Sequence, residues 1–374
     1  MPRAVIGAPG GAVAPPSPGP PAFHRALPGY GPTRLVNSPA VAAAAGVRRV
    51  LVKDESSRFG LPAFKFLGAS WAVARVLGVT AGDVEGLTNA ARELGVVRLS
   101  AATDGNHGRA VARVARLGGM RATIFVPVSM REARREAIRS EGAEVIVVEG
   151  DYDETVRRAA AEERDPSCRV VNDADQDGSS PVPGWVIEGY ATLFGEAEEQ
   201  ARTQGADPDL LIIQIGVGAF AAAGIAWAGS RGVPVVGVEP RAAACVAASL
   251  AAGHPVTIAT QPTHMSGLDC GTPSAAAWPV LAAGLAGVVT VTDAEADDAA
   301  RLLAADGVEA GESGAAGSAG LLALARDAEC ETLRRAVGLE HAATVLVINT
   351  EGATDPERYA GVIAAAPGAD APPG

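Results

Sequence analysis

Residues 210–223 read Leu210-Leu211-Ile212-Ile213-Gln214-Ile215-Gly216-Val217-Gly218-Ala219-Phe220-Ala221-Ala222-Ala223. A short run of β-formers, a glycine turn and an alanine-rich stretch predict a strand, a tight turn and a helix in that order. The stretch from Leu210 to Ser230 carries no charge and is long enough to pass for a membrane span. Its internal change of grammar argues instead for one repeat of a parallel α/β protein.

The rest of the chain keeps that rhythm. Strands are expected at 49–53, 96–101, 122–126, 144–148, 169–172, 233–238, 287–292 and 344–349, alternating with helices such as 131–141, 153–163, 185–204 and 293–306. Alternation of this kind predicts mainly parallel sheets covered by helices. Residues 173–183, with glycine, serine, proline and three aspartates, interrupt the rhythm and read as a long functional loop or a domain boundary.

The chain has 374 residues, enough for two domains with sizeable cores. A net charge of -12 and the absence of a basic run interleaved with aromatics argue against nucleic-acid binding and for a small-molecule enzyme. The four cysteines, Cys168, Cys245, Cys270 and Cys330, show no Cys-x-x-Cys spacing, which predicts a reduced, cytoplasmic protein without a metal site. Pro9, Pro15, Pro16, Pro18, Pro20 and Pro21 break any signal-peptide core. Residues 1–28 are therefore expected to be a flexible leader, and 365–374 a flexible tail.

Of 31 basic residues only Lys53 and Lys65 are lysine. Arginine cannot lose its proton and attack a carbonyl, so a retained lysine points to Schiff-base chemistry. Lys65 lies between Phe64 and Phe66, where desolvation favours the neutral, nucleophilic amine. The plainer alternative is a lysine snorkelling from a surface helix.

Two further segments stand at strand ends, where open α/β sheets bind ligands. The turn Gly216-Val217-Gly218-Ala219 offers backbone N–H groups and a helix N-terminus to a phosphate. It also satisfies a Gly-x-Gly-x-x-Ala dinucleotide pattern through Ala221, with Glu239 placed for a nicotinamide cofactor's ribose. In Asp104-Gly105-Asn106-His107-Gly108, Asn106 can bond the phenolic oxygen of a Schiff-base cofactor, while His107 reads as a helix-start side chain satisfied by backbone. Asp173, Asp175 and Asp177 invite a cation, yet an EF-hand would need glutamate where Gly184 stands. Cys270 reads as a packed thiol.

Together, Ala63-Phe64-Lys65, Thr103 to Gly108, Gly216-Val217-Gly218, Met265 to Ser274, Glu312-Ser313-Gly314 and Thr350 to Pro356 resemble the diaminopropionate ammonia-lyase family. The likeness runs in order from about Gly31 to Tyr359, and Gly-Leu-Asp-Cys-Gly-Thr-Pro-Ser is its most specific part. The family belongs to the fold-type II pyridoxal 5'-phosphate enzymes, related to threonine dehydratase and cysteine synthase.

The resemblance implies a tryptophan synthase β-like fold of two open α/β domains, with the cofactor in the cleft between them. Residues 29–72 and 184–364 would form the larger cofactor-binding domain, and 73–183 the smaller. Lys65 is the implied Schiff-base lysine, with Phe64 beside it. Asn106 meets the phenolic oxygen, and Gly216, Val217, Gly218 and Ala219 cradle the phosphate. Asp104 and Asp173 are implied as alternative catalytic bases for the two substrate enantiomers. Ala63, Thr103, Asp104, Asp173 and Asp269 contact the amino acid, and Asn349 or Thr350 faces the pyridine nitrogen; the family has serine where this chain has Asn349. The family's Asp-Thr-x-Trp-x-Gly-Tyr is here Asp173-Ala174-Asp175-Gln176-Asp177-Gly178-Ser179.

The implied activity is elimination of ammonia from 2,3-diaminopropionate to aminoacrylate, then pyruvate, by a homodimer acting on a small amino acid without nucleic-acid or membrane partners. The altered loop leaves a β-replacement synthase or a serine/threonine-type dehydratase as the alternative. A nicotinamide-dependent oxidoreductase is the more remote one.

Overall fold

The computed structural model describes residues 2–79, 82–103, 105–150, 152–175 and 178–365. Its strands are β1 (Ala4–Ile6), β2 (Leu35–Asn37), β3 (Arg49–Asp54), β4 (Arg98–Ala102), β5 (Arg121–Pro127), β6 (Glu144–Val148), β7 (Cys168–Val170), β8 (Leu210–Gln214), β9 (Val235–Pro240), β10 (Leu285–Val291) and β11 (Thr344–Asn349). The chain divides into two compact units.

One unit contains the segments up to Pro16, Pro32–Ser57 and from Leu193 onward. Its seven-stranded sheet has the order β1-β10-β9-β8-β11-β3-β2. The five inner strands pair in parallel. β8, β9 and β11 are buried along their whole length, as expected of central parallel strands covered on both faces. The helix Glu312–Arg326 presents Ala315, Ala316 and Ala319 to this core, small side chains that let it approach the sheet closely.

The other unit contains Ser17–Gly31 and Arg58–Thr192. Its parallel sheet has the order β6-β5-β4-β7. The helices Phe66–Val76 and Val182–Gly189 pack tightly in this unit: a side chain at Gly189 would meet the Leu67 carbonyl oxygen at 2.5 Å. Residues 58–72 and 184–192 thus group with the four-stranded sheet, rather than with the larger unit to which the resemblance allotted them.

The leader also departs from expectation. β1 pairs antiparallel with β10, and Gly287 leaves room for Val5 to lie against it. Arg3 donates to the Thr290 carbonyl at 2.6 Å and pairs with Glu295 and Asp327. Gly19–Ala26 is a helix whose Pro20 and Pro21 occupy its first turn, where no N–H is required. Phe23 and His24 are buried, so apolar burial and long-range pairing override a composition that reads as flexible. The expected tail lies almost wholly outside the described residues. The single helix expected over 185–204 is two, Val182–Gly189 and Ala191–Thr203, with Tyr190 between them. Among the described residues no helix is long and apolar enough to cross a membrane.

Candidate functional site

In the unit with the four-stranded sheet, Lys65 is delivered by a tight turn. Leu61 N–H donates to the Arg58 carbonyl at 2.9 Å, and Phe59 (φ 52) and Gly60 (φ 72) both take left-handed backbone, the pattern of a type I′ turn. Phenylalanine is strained there. Its ring is held against Phe66 at 4.4 Å, and its carbonyl accepts from Arg113 Nη1 at 3.2 Å, so packing maintains the turn. Lys65 then stands at the N-cap of Phe66–Val76.

Lys65 Nζ lies 2.7 Å from Asp173 Oδ2 and 5.5 Å from the centre of the Phe64 ring. Asp173 follows β7 and is buried. Burial alone would raise its pKa, but the Lys65 ammonium, His107 and the hydrogen bond from Lys65 together hold it well below the usual carboxylate range. His107 is pushed the other way, downward, chiefly by burial. Its Nε2–H donates to the Val171 carbonyl at 2.7 Å, which leaves the bare Nδ1 facing Asp173 at 3.8 Å. The backbone bond expected of His107 is present, and so is a second contact that the sequence did not reveal.

The helix Asn106–Leu117 begins beside this pair. Thr103 Oγ1 accepts from the Gly105 and Gly108 N–H groups, each at 3.0 Å, so its oxygen closes the turn. A side chain at Gly108 would collide with Thr103, and Gly105 has φ 147, so both glycines are needed. Asn106 is half-buried at the helix start and Ala63 is buried. Asp104, with Gln176 and Asp177, lies outside the described residues. Tyr190 packs its ring 4.8 Å from Phe64, and burial raises its phenol's pKa. Gly68 leaves it space, since a Cβ there would lie 2.6 Å from the ring.

In the seven-stranded unit, β8 runs into Gly216-Val217-Gly218 and the helix Ala219–Gly229. Gly218 has φ 99, and a side chain at Gly216 would meet the Gly267 carbonyl oxygen at 2.8 Å. The turn's backbone is thereby pressed against the segment 266–274. Ser274 N–H donates to the Val217 carbonyl at 2.8 Å, and the Ser274 hydroxyl is buried without a partner. An orphaned hydroxyl beside an uncapped helix N-terminus fits a phosphate group. In the same segment Asp269 is half-buried, and burial first, then Asp293, raises its pKa against a hydrogen bond from Thr260. Its Oδ1 has no partner.

Asn349 and Thr350 end β11 with different fates. The Asn349 amide nitrogen donates to Asp54 Oδ1 and to the Glu309 carbonyl, each at 2.9 Å. The Thr350 hydroxyl accepts from Gln214 Nε2 at 3.0 Å. Glu239, the acid of the dinucleotide pattern, is fully buried. Each of its oxygens accepts a backbone N–H, from Val246 and from Ala247, at 2.8 Å, and burial pushes it up to about 8. It caps a helix and is not placed to meet a ribose, so the nicotinamide pattern loses its acid. Among the described residues no cluster of His, Cys, Asp or Glu forms a metal site.

Ser274, Gln214 and Tyr190 were not singled out by sequence for the site. Gln214 carried a faint signal, as the one polar residue in the run preceding the glycine turn.

Residues 26–350 match the model of the pyridoxal-phosphate dependent enzyme family. Over 357 residues the chain is 36% identical to diaminopropionate ammonia-lyase of Escherichia coli (strain K12), covering 91% of this chain and 89% of that one. The crystal structure of the Escherichia coli enzyme in complex with an aminoacrylate-PLP azomethine reaction intermediate superposes with a TM-score of 0.84 at 33% identity, covering 97% of each chain. Its complex with D-serine gives the same TM-score of 0.84 at 34% identity, covering 94% of each.

Proposed function

This chain belongs to the diaminopropionate ammonia-lyase family of pyridoxal-phosphate dependent enzymes, and from that premise we propose that it eliminates ammonia from 2,3-diaminopropionate. The observation that carries the reading is the Lys65–Asp173 pair, an amine and a buried carboxylate 2.7 Å apart. Pyridoxal phosphate supplies the electron sink that allows a Cα–H bond to break and ammonia to leave from Cβ.

Lys65 holds the cofactor through Nζ. The glycine turn Gly216 to Ala219 and the Ser274 hydroxyl hold its phosphate, Asn106 its phenolic oxygen, and Thr350 its ring nitrogen. Thr350 is preferred to Asn349 because the Asn349 NH2 group, that side chain's only donor, is engaged by Asp54 and Glu309.

Asp173 takes the Cα proton. While the Lys65 ammonium faces it, the carboxylate is a weak base. Once Lys65 no longer carries that charge, the burial that dominates its surroundings raises its basicity. Charge on the lysine and basicity of the aspartate are thereby exchanged. Asp104 serves as base for the opposite enantiomer. Asp269, half-buried beside the glycine turn with a vacant Oδ1, gives the substrate's second amino group its counter-charge. Released aminoacrylate hydrolyses to pyruvate and a second ammonia. The enzyme works in the cytoplasm as a homodimer.

Product analysis tests the reading. Purified protein given D- or L-2,3-diaminopropionate is expected to release pyruvate and ammonia. Turnover of serine or threonine with none of diaminopropionate would establish a dehydratase, and a product that requires an added nucleophile would establish a replacement synthase.

A further inference from the structure

We infer that His107 is a positioning residue for the reaction: its bare Nδ1 receives the hydrogen bond of Asp173 once that carboxylate has taken the Cα proton, and so makes Asp173 a better base. The inference rests on the reading above that Asp173 takes that proton.

One segment fixes both groups. The Val171 N–H donates to the Ser100 carbonyl at 2.8 Å, and Asn172 Oδ1 accepts the Ala102 N–H at 2.9 Å, so residues 171 and 172 are pinned to β4. The Val171 carbonyl meets His107 Nε2 at 2.7 Å, and the Asp173 carboxylate, two residues on, faces Nδ1 of the same ring. His107 itself is 3% exposed and lies in the first turn of the helix Asn106–Leu117.

A carbonyl oxygen only accepts, so Nε2 must carry a proton, and Nδ1 is bare unless the imidazole is charged. A charged ring would point an N–H at the carboxylate and close on it, as Lys65 Nζ does at 2.7 Å on the same Oδ2. Nδ1 instead stands off at 3.8 Å and is buried without a hydrogen-bond partner. Two acceptors with no proton between them take this arrangement. Burial favours the same neutral form of the ring.

A buried acceptor without a donor is costly, and here the reaction supplies the donor. When the Cα–H bond breaks, its electron pair stays with the substrate and its proton goes to Asp173, forming a carboxyl O–H. By then Lys65 no longer carries its charge. The acid has become a donor, and an approach of about 1 Å gives Oδ2–H···Nδ1 an ordinary length. An imidazolium would oppose protonation of Asp173, whereas the neutral ring carries no charge and offers only its lone pair. A hydrogen bond made by the protonated form raises a carboxylate's basicity. His107 thus acts through Asp173 and not on the substrate.

The test compares kcat on D- and L-2,3-diaminopropionate for the reconstituted enzyme, for Asp173→Asn and for two variants of His107. Asp173→Asn identifies the enantiomer that Asp173 serves. His107→Gln keeps a donor for the Val171 carbonyl but has no acceptor at the Nδ1 position, whereas His107→Asn places an amide oxygen there and gives up the Val171 bond. His107→Gln is expected to shift the ratio of the two kcat values about ten- to hundredfold in the direction of Asp173→Asn, the effect of leaving one buried proton without its acceptor. His107→Asn is expected to shift it less. An unchanged ratio in His107→Gln, or a larger shift in His107→Asn, overturns the inference and leaves His107 a support for the Val171 carbonyl. If Asp173→Asn slows both enantiomers equally or neither, Asp173 is not the base of one enantiomer and the site reading fails together with the inference. Wild type gives an independent check. The 15N signals of its His107 ring at neutral pH are expected from a neutral imidazole protonated at Nε2, and an imidazolium signal overturns the inference even if neither variant folds.

Discussion

The two lysines of this chain occupy opposite environments. Lys53 lies in β3 with its side chain fully buried, and Nζ donates to the Thr33 carbonyl at 2.8 Å, Glu196 Oε2 at 2.8 Å and Gln200 Oε1 at 3.0 Å. Three donors meet three acceptors, so this ammonium is held charged and immobile. Lys65 has a side chain 22% exposed, faces Asp173 and lies near an aromatic ring. Both are lysines in a protein that otherwise uses arginine, but for different reasons. One fits a compact three-acceptor cage that a planar guanidinium does not match, and the other can reach a reactive state.

That contrast can be broken by substitution. Lys65→Ala should remove the cofactor's visible band and all measurable turnover and, because it takes the ammonium from buried Asp173, lower the melting temperature at neutral pH; retained turnover would equate the two lysines. Asp173→Asn should keep the cofactor bound and lower kcat about 10^2- to 10^4-fold, the usual range for losing a general base; an unchanged kcat on both enantiomers would remove Asp173 from the reaction. Lys53→Met removes the Lys53 ammonium from buried Glu196 and should cost about 3–5 kcal/mol in urea unfolding. Whatever folds of that variant should still form the cofactor band, and losing the band without losing stability would make Lys53 a site residue.

Smaller effects sharpen the picture. Ser274→Ala removes one hydrogen bond to an anion, a change of about 1.5–3 kcal/mol. It should weaken pyridoxal phosphate binding to the apoprotein about tenfold or more and leave pyridoxal binding unchanged; an equal loss for both would detach Ser274 from the phosphate.

The Lys65–Asp173 pair also predicts a pH signature in the cofactor-free protein. Asp173 has a lowered pKa in the folded state. Its contribution to stability is therefore full above the unfolded value of about 3.9 and drains as pH falls toward the folded value. In Lys65→Met the ammonium is gone and burial raises that pKa, so the sign reverses and acidification toward Asp173 protonation should stabilise. Urea titrations of both proteins should converge as the pH is lowered; parallel curves would mean that the pair is not coupled.

The alternation of strand and helix made the inner parallel strands legible, because β8, β9 and β11 are apolar runs of the right length bounded by turns. The edge strands were not. β1 and β2 are three residues each, too short to show a period, and they exist because β10 and β3 offer them antiparallel partners. Lys65 and Asp173 were legible as separate residues, through the rarity of lysine and a position after a strand. Their meeting across 108 positions was not. Nor were the surroundings of Gln214 and Ser274, which depend on carbonyls and turns contributed by distant segments and on which hydroxyl is left without a partner.

The central claim is that Lys65, not Lys53, carries the cofactor. Reducing the reconstituted protein with borohydride and mapping the pyridoxyl-bearing peptide reads this directly. The account predicts that the visible band disappears and that the label is found on Lys65 alone. Label on Lys53, or a cofactor that washes away after reduction, would contradict it.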